Sequence, residues 1–213
     1  MKKWLFILFF PLIISAQTPE EQIDLLKNSS LLIRLKTRDQ AVQAASDAGL
    51  TEMAEEMKEE QRLENEEIVK AFIANYDFCP IYFFYSSCSK DILDRNFKGC
   101  LLDANLQPVK SIPDLDDFFI AEFDYVKKQP DSYFGGYTVE YDTSGAIERR
   151  SNYYGGTELG PDALVMMDSR FRQLRQPFPF YVRTYQGFFL LRRDKAKVVE
   201  ILNNELNEFY KQD

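Results

Sequence analysis

The chain has 213 residues, 26 of them basic and 34 acidic, with a formal net charge of −8 at pH 7. An acidic chain without a basic stripe lacks the Lys and Arg side chains that neutralise phosphates, which argues against nucleic acid as a partner. It also contains no histidine, which excludes Ser-His-Asp and Cys-His catalysis and imidazole-based zinc sites, because all of them need that ring as base or ligand.

Residues 1–16, MKKWLFILFFPLIISA, have the three parts of a secretory signal peptide. Two lysines form its positive start, an apolar stretch follows at 5–14, and small residues end with Ala16. The apolar stretch is far shorter than the roughly 20 residues that a transmembrane helix needs. We therefore expect cleavage between Ala16 and Gln17, a secreted or periplasmic protein of bacterial origin, and no membrane insertion of the mature chain.

Residues 17–76 are predicted to form a helical hairpin region. Gly49 suits the left-handed conformation that ends a helix, and Thr51 is expected to cap the helix that follows. The helix before Gly49 is predicted to span 31–48, because four apolar residues follow helical spacing on one face. These residues are Leu31, Leu35, Val42 and Ala45.

The second helix of this region contains the glutamate-rich segment 55–67, EEMKEEQRLENEE. A cation-binding or partner-binding strip is one interpretation of so many acidic residues. The favoured interpretation is a helix face in solvent, with Met57, Ile68 and Phe72 turned toward the core.

Residues 77–213 are predicted to form a mixed α/β domain. A short helix is expected at 91–97, and 171–174 is expected to return beside the preceding strand as a hairpin. Asp194 is predicted to cap a C-terminal helix whose apolar side holds Val198, Leu202, Leu206 and Phe209. The predicted strands are 80–85, 99–103, 118–123, 163–167 and 180–185. The expected fold class is therefore α+β, with the N-terminal helical hairpin packed on a mixed β-sheet and a C-terminal helix.

Residues 133–156 suggest a ligand site. The turn signal at 142–145 predicts a hairpin, which brings YFGG (133–136) roughly opposite YYGG (153–156). If exposed, the aromatic side chains would form a stacking platform for a glycan or a protein partner. If buried, they would form cross-strand aromatic pairs. The candidate ligand-binding residues are Tyr133, Phe134, Tyr153 and Tyr154.

The stretch CPIYFFYSSCSKD (79–91) places Cys88 between a buried strand and a short helix. With the later strands, the hairpin and the terminal helix, this order resembles the thioredoxin fold, and a thioredoxin-like α/β fold is the alternative architecture. Pro179 stands where that family has its cis-proline, although we expect a trans bond there. Asp91 occupies the position of the family's second cysteine, so the resemblance implies a single-thiol redox protein.

Strand geometry gives a prediction for the cysteines. The connection 86–98 just meets the roughly dozen-residue minimum for a parallel crossover, so strands 80–85 and 99–103 are expected to lie side by side. Cys79 and Cys100 then begin adjacent strands about 4.8 Å apart, within reach of a disulfide. We therefore predict a Cys79–Cys100 bridge and leave Cys88 as a free thiol.

The acidic residues leave a further alternative, since glycoside hydrolysis needs only two placed carboxylates. Four aspartates stand at predicted strand ends, where turn residues are also common: Asp103, Asp124, Asp142 and Asp168. No metal or cofactor is predicted. We expect a non-catalytic binding or interaction module. The alternatives are a single-thiol redox protein and a carboxylate hydrolase, so an enzymatic role stays open.

Overall fold

The computed structural model describes residues 18–111, 115–127, 138–141, 147–150, 159–187 and 190–211. The signal peptide prediction lies outside these residues. The helices are α1 (Pro19–Asn28), α2 (Asp39–Asp47), α3 (Thr51–Asn75), α4 (Ser89–Leu93) and α5 (Lys195–Lys211). The strands are β1 (Ser30–Leu35), β2 (Ile81–Tyr85), β3 (Phe118–Lys127), β4 (Thr138–Tyr141), β5 (Ile147–Arg150), β6 (Leu159–Met167) and β7 (Tyr181–Arg183).

Five of the described strands form one mixed sheet in the order β2-β1-β3-β6-β7. The strand β1 is parallel to β2 and to β3, whereas β6 is antiparallel to both β3 and β7. With helical packing at the N-terminus and a C-terminal helix, this architecture confirms the predicted α+β fold class.

The strand β1 corrects the prediction of a helix over 31–48. Leu31, Leu32 and Ile33 are consecutive and fully buried, a pattern that places side chains on both faces of a sheet and not along one side of a helix. The helical spacing between Leu31 and Leu35 was therefore coincidental. Helix begins only at Asp39, after the chain has passed through the strand β1.

Each face of the sheet is covered. On the first face, Leu31 and Ile33 of β1 belong to a core formed with α1, α3 and α5. On the second face, Leu32 packs in a separate core with Ile92 of α4 and with the segment that follows it. This alternation follows from the two-residue period of a strand. It leaves α3 and α4 on opposite sides of the sheet.

The helical hairpin of α2 and α3 is confirmed. Gly49 has a φ of +78° and stands just beyond the last residues of α2, as a helix-ending glycine should. Thr51 is the first residue of α3 and the N-cap is Leu50, so the predicted Thr51 cap is wrong. Ile68 and Phe72 are buried as expected, and Met57 is half-buried.

The C-terminal helix also agrees with its prediction. The backbone N–H of Lys197 donates to Asp194 Oδ1 at 2.7 Å, which is the expected cap. Val198, Leu202 and Leu206 are fully buried, and Phe209 packs against the same core.

The segment 99–103 is not the parallel strand that was predicted. Leu102 instead makes an isolated antiparallel bridge with Phe83 of β2. The reversed direction carries Cys100 toward the end of β2, where Cys88 lies, and away from Cys79. The predicted Cys79–Cys100 bridge is therefore wrong. The disulfide joins Cys88 and Cys100, whose Cα atoms are 5.8 Å apart, and Cys79 is the free thiol.

The predicted hairpin around residues 142–145 is present as an antiparallel ladder of β4 and β5, in which Thr138 lies opposite Arg150. The aromatic candidates at its open end, Tyr133, Phe134, Tyr153 and Tyr154, lie outside the described residues. The stacking platform therefore stays a prediction.

The chain after β6 is less regular than predicted. Residues 171–174 form no strand, although Gln173 makes an antiparallel bridge with Met167. Among the described residues, the one cis peptide bond precedes Pro177, and the bond before Pro179 is trans as expected. No helix in the described part of the chain combines the length and the apolar character needed to cross a bilayer.

Candidate ligand-binding cleft

A cleft opens beside the carboxyl ends of β1 and β2. The connection from β1 to β2 runs through α3 on the first face, and the connection from β2 to β3 runs through α4 on the second. β1 therefore lies between β2 and β3, the next two strands of the chain, which are reached through connections on opposite faces. In open α/β sheets such a switch in connection leaves a crevice outside the strand ends, where ligands bind.

The cleft has a volume of about 280 Å³, close to the lower limit of small-molecule pockets. Its walls come from the turn after β1, one face of α3, and an apolar side. The turn contributes Lys36, Thr37, Arg38 and Asp39, α3 contributes Lys58, Gln61, Arg62 and Asn65, and the apolar side consists of Val42, Tyr85 and Leu106.

The floor of the cleft consists of two buried amides on α3. Gln61 is 7 % exposed and Asn65 is 5 % exposed, and their spacing of four residues places them on the same helix face. Asn65 Nδ2 donates to the carbonyl of Lys36 at 2.9 Å, and Gln61 Nε2 donates to Asn65 Oδ1 at 3.2 Å. Because buried amides need such partners, these bonds fix the turn after β1 against α3.

The turn is held on its other side by the end of β2. The backbone N–H of Thr37 donates to Ser86 Oγ at 2.9 Å, and the hydroxyls of the two residues lie 3.0 Å apart. Arg38 Nε donates to Gln61 Oε1 at 3.0 Å. The turn is thus bonded both to β2 and to α3, which gives the cleft a fixed shape.

The lining is predominantly basic. The residues that form the walls include four with cationic side chains and one with a carboxylate, Asp39. Each cation also has an acidic partner that lies outside the lining, such as Glu60 for Arg38 and Glu59 for Arg62. The hydrogen bonds with Glu59 raise the pKa of Arg62 above its already high value, so this guanidinium stays charged.

The disulfide lies apart from the cleft lining. Cys88 is half-buried and Cys100 is buried, and the carboxylate of Asp91 lies within 4.8 Å of both sulfurs. Metal ligation by cysteine requires thiolates, and both sulfurs are taken up in the disulfide bond. Asp91, which occupies the position of the second cysteine in the thioredoxin motif, is therefore next to a disulfide. Cys88 is not the lone thiol that the resemblance implied.

Cys79, the free thiol, is partly buried against the core on the first face of the sheet. The hydroxyl of Tyr76 and the sulfur of Cys79 are 3.3 Å apart. Burial raises the pKa of this thiol to about 11, so at neutral pH it is protonated and a poor nucleophile.

Two of the predicted strand-end aspartates hold turns. Asp103 Oδ1 accepts the backbone N–H groups of Asn105 and Gln107, and Asp168 Oδ1 accepts those of Arg170 and Arg172. These are ordinary turn contacts. Asp142 lies outside the described residues.

Asp124 is paired with Lys36 at 3.1 Å, and Glu122, two residues earlier on the same strand, is paired with Arg34 at 2.7 Å. The two carboxylates border a cavity of about 10 Å³, enough for roughly one water molecule. This space cannot hold a sugar between the acids, as a glycosidase requires.

Comparison with known proteins yields no significant match to a family model, a curated protein or a solved structure. The candidate site therefore depends on the geometry and chemistry of its own residues.

The cleft was missed from the sequence for an identifiable reason. Its first wall begins at Lys36, inside the segment that was predicted to continue as helix. The two buried amides, Gln61 and Asn65, stand within the glutamate-rich segment, for which the favoured interpretation is a helix face in solvent with Met57 toward the core. Their spacing of four residues was the available signal, but glutamates and arginines on the same helix obscured it.

Proposed function

We propose that this protein is a non-catalytic binding module that holds a small ligand in the cleft at the carboxyl ends of β1 and β2. The observation that carries this proposal is a cavity of about 280 Å³ with a floor of buried amides that are already hydrogen-bonded. A fixed cavity lined by a few polar groups and an apolar side is the usual form of a small-molecule site.

The chemical groups of the cleft and the disulfide favour a binding function over the two enzymatic alternatives. Among the lining residues, Asp39 is the single carboxylate, whereas two-carboxylate hydrolysis needs a pair across the substrate. The single-thiol redox alternative needed a free Cys88, and that sulfur is bonded to Cys100.

We also propose that the protein works in the periplasm or outside the cell. The support comes from the signal-peptide pattern of residues 1–16 and from the Cys88–Cys100 disulfide, because structural disulfides are typical of oxidising compartments.

The binding proposal is tested by filling the cleft. Val42 lines the cavity and Ala44, on the same helix, is exposed and does not. Val42→Trp and Ala44→Trp are therefore matched variants, with circular dichroism to confirm that both fold. A panel of small metabolites is screened by thermal shift against the two variants and the unsubstituted protein.

Some compounds should raise the melting temperature of the unsubstituted protein and of Ala44→Trp but not that of Val42→Trp. A ligand at 100 times its Kd stabilises by about 2.7 kcal/mol, which corresponds to roughly 5–10 °C for a chain of this size. The proposal is wrong if the compounds that bind stabilise Val42→Trp equally, or if none of the panel binds.

A further inference from the structure

Three cationic residues, Arg38, Lys58 and Arg62, line the cleft. Arg38 Nε is bonded to Gln61 Oε1 at 3.0 Å, which brings its guanidinium to the face of α3 where Gln61 lies. Lys58 and Arg62 flank Gln61 on that face, three residues before it and one after it, and both line the cavity. Three cationic residues from two elements of the fold therefore line the same cavity.

This concentration of positive charge runs against the charge of the whole chain. The protein has a net charge of −8, yet the cleft lining contains Lys36, Arg38, Lys58 and Arg62 against Asp39 alone. A cleft lined by one sign of charge focuses its field and attracts ligands of the opposite sign. Guanidinium groups add geometric selectivity, because their planar fork matches a carboxylate or a phosphate.

The glutamates that pair with these cations do not prevent them from binding an anion. Lys58 is paired with Glu55 and Arg38 with Glu60, whereas Arg62 is paired with both Glu59 and Glu66. All four glutamates lie outside the lining; Glu66 is half-buried and the other three are exposed. Exposed ion pairs of this kind contribute little to stability. A bound anion can therefore replace the glutamates while their carboxylates turn to water.

The amino end of α2 borders the same space. Its N-cap is Arg38, and no side chain caps the first turn of this nine-residue helix. The unbonded N–H groups and the positive end of the helix dipole favour an anion at this position. Asp39, the first residue of the helix, opposes it. The cavity and the three cationic residues that line it are the primary observation, and the helix end adds to them.

The third side of the cleft is apolar. Val42, Tyr85 and Leu106 offer carbon surface opposite the cations, which suits the body of an organic molecule. We infer, on the basis of the proposed function, that the cleft binds a small organic anion whose carboxylate or phosphate group meets Arg38, Lys58 and Arg62.

The inference is tested by isothermal titration calorimetry at low ionic strength with four probes. Succinate and glycerol phosphate carry the two anionic groups, succinamide is neutral, and putrescine is cationic. The two anions should bind the unsubstituted protein, whereas succinamide and putrescine should not. Added salt should weaken the binding of both anions, because it screens the attraction.

Charge variants should change the affinity for the anions in opposite directions. A purely structural role of these residues would not produce that result. Arg38→Gln and Arg62→Gln should each weaken anion binding about tenfold, the effect of losing one charge-assisted contact. Asp39→Asn should tighten it, because the repelling carboxylate is removed. Lys197→Gln is the matched control, since Lys197 is exposed and pairs with Glu200 on α5 but does not line the cleft. Its affinity should be unchanged.

Arg62 is exposed on the helix surface, so its variant keeps the test valid if Arg38→Gln does not fold. Anion binding that is insensitive to both arginine variants and to Val42→Trp overturns the inference. Binding of succinamide or putrescine without the anions overturns it too, but leaves the proposed function standing if Val42→Trp abolishes that binding. Selective loss of anion binding in the arginine variants supports both.

Discussion

Glu122 is the most deeply buried charged group described, with 1 % of its surface exposed. Arg34 Nη1 donates to both of its oxygens, at 2.7 and 2.8 Å, and Arg34 Nε donates to Ser89 Oγ. Burial raises the pKa of Glu122, and the neighbouring guanidinium opposes that rise without cancelling it. The pair joins β1 to β3, so its integrity bears on the position of both strands.

The pair should show strong energetic coupling. Removing one partner leaves the other charge buried, so Arg34→Met and Glu122→Leu should each lower the free energy of unfolding by about 3–5 kcal/mol. The double variant should lose less than the two single losses combined, by about 0.5–3 kcal/mol. Urea denaturation of the four proteins measures this cycle, and additive losses would contradict the assignment.

Cys79 should react slowly and with an unusual pH dependence. Because burial raises its pKa to about 11, the thiolate fraction is small at neutral pH and grows as the pH rises toward that value. Alkylation of the folded protein by iodoacetamide should therefore accelerate about tenfold per pH unit from pH 7 to pH 10.

The urea-unfolded protein is the control for this measurement, since its thiol should level off near the ordinary pKa of about 8.5. Mass spectrometry identifies the labelled residue. A plateau near pH 9 in the folded protein would show that Cys79 is not shielded as described.

At the scale of elements, the disulfide holds in place the segment that packs on the second face of the sheet. The segment after α4 has few regular elements, yet Leu101 and Leu115 are buried within it and pack against Phe118 of β3. Cys88 and Cys100 close a loop with a sequence separation of 12 residues, which ties this irregular segment to the end of β2.

Removing the bridge should destabilise the protein. A loop of this length implies a loss of about 2–3 kcal/mol in the free energy of unfolding for the double variant Cys88→Ser, Cys100→Ser. Cys79→Ala serves as the control that keeps the bridge. Non-reducing peptide mapping should find Cys88 linked to Cys100, and a linked Cys79 peptide would refute this connectivity.

At the scale of the whole molecule, two cores cover the two faces of one sheet, and the cleft lies where β1 leaves that sheet. The strands β1, β2 and β3 bring together segments from residue 30 to residue 127. The cleft therefore forms only when the sheet and α3 are assembled, and destabilising either core should weaken ligand binding.

Export of the whole chain is predicted from residues 1–16. Expression in a bacterial host should place the protein in the periplasm, and its N-terminal sequence should begin at Gln17. A variant with Leu8→Asp, which interrupts the apolar stretch, should stay in the cytoplasm with its full length. Recovery of the uncleaved protein in the periplasm would contradict the predicted cleavage site.

The sequence by itself determined the local features of this protein. The apolar runs around Phe83 and Ile120 became strands, Gly49 ended a helix, and Asp194 capped the last one. These features depend on neighbouring residues, whose spacing and backbone preferences can be read directly. The absence of histidine likewise limits the chemistry whatever the fold.

Tertiary structure decided the rest. Residues 31–35 satisfy both a helical and a strand pattern. Only their contacts with β2 and β3 make them the strand β1, which lies between those two strands. The direction in which Leu102 meets Phe83 decides that Cys100 bonds to Cys88 and not to Cys79. Both outcomes depend on contacts between residues distant in the chain. Local patterns do not encode the direction of such contacts, and for the same reason the cleft was not visible before the strands were assembled.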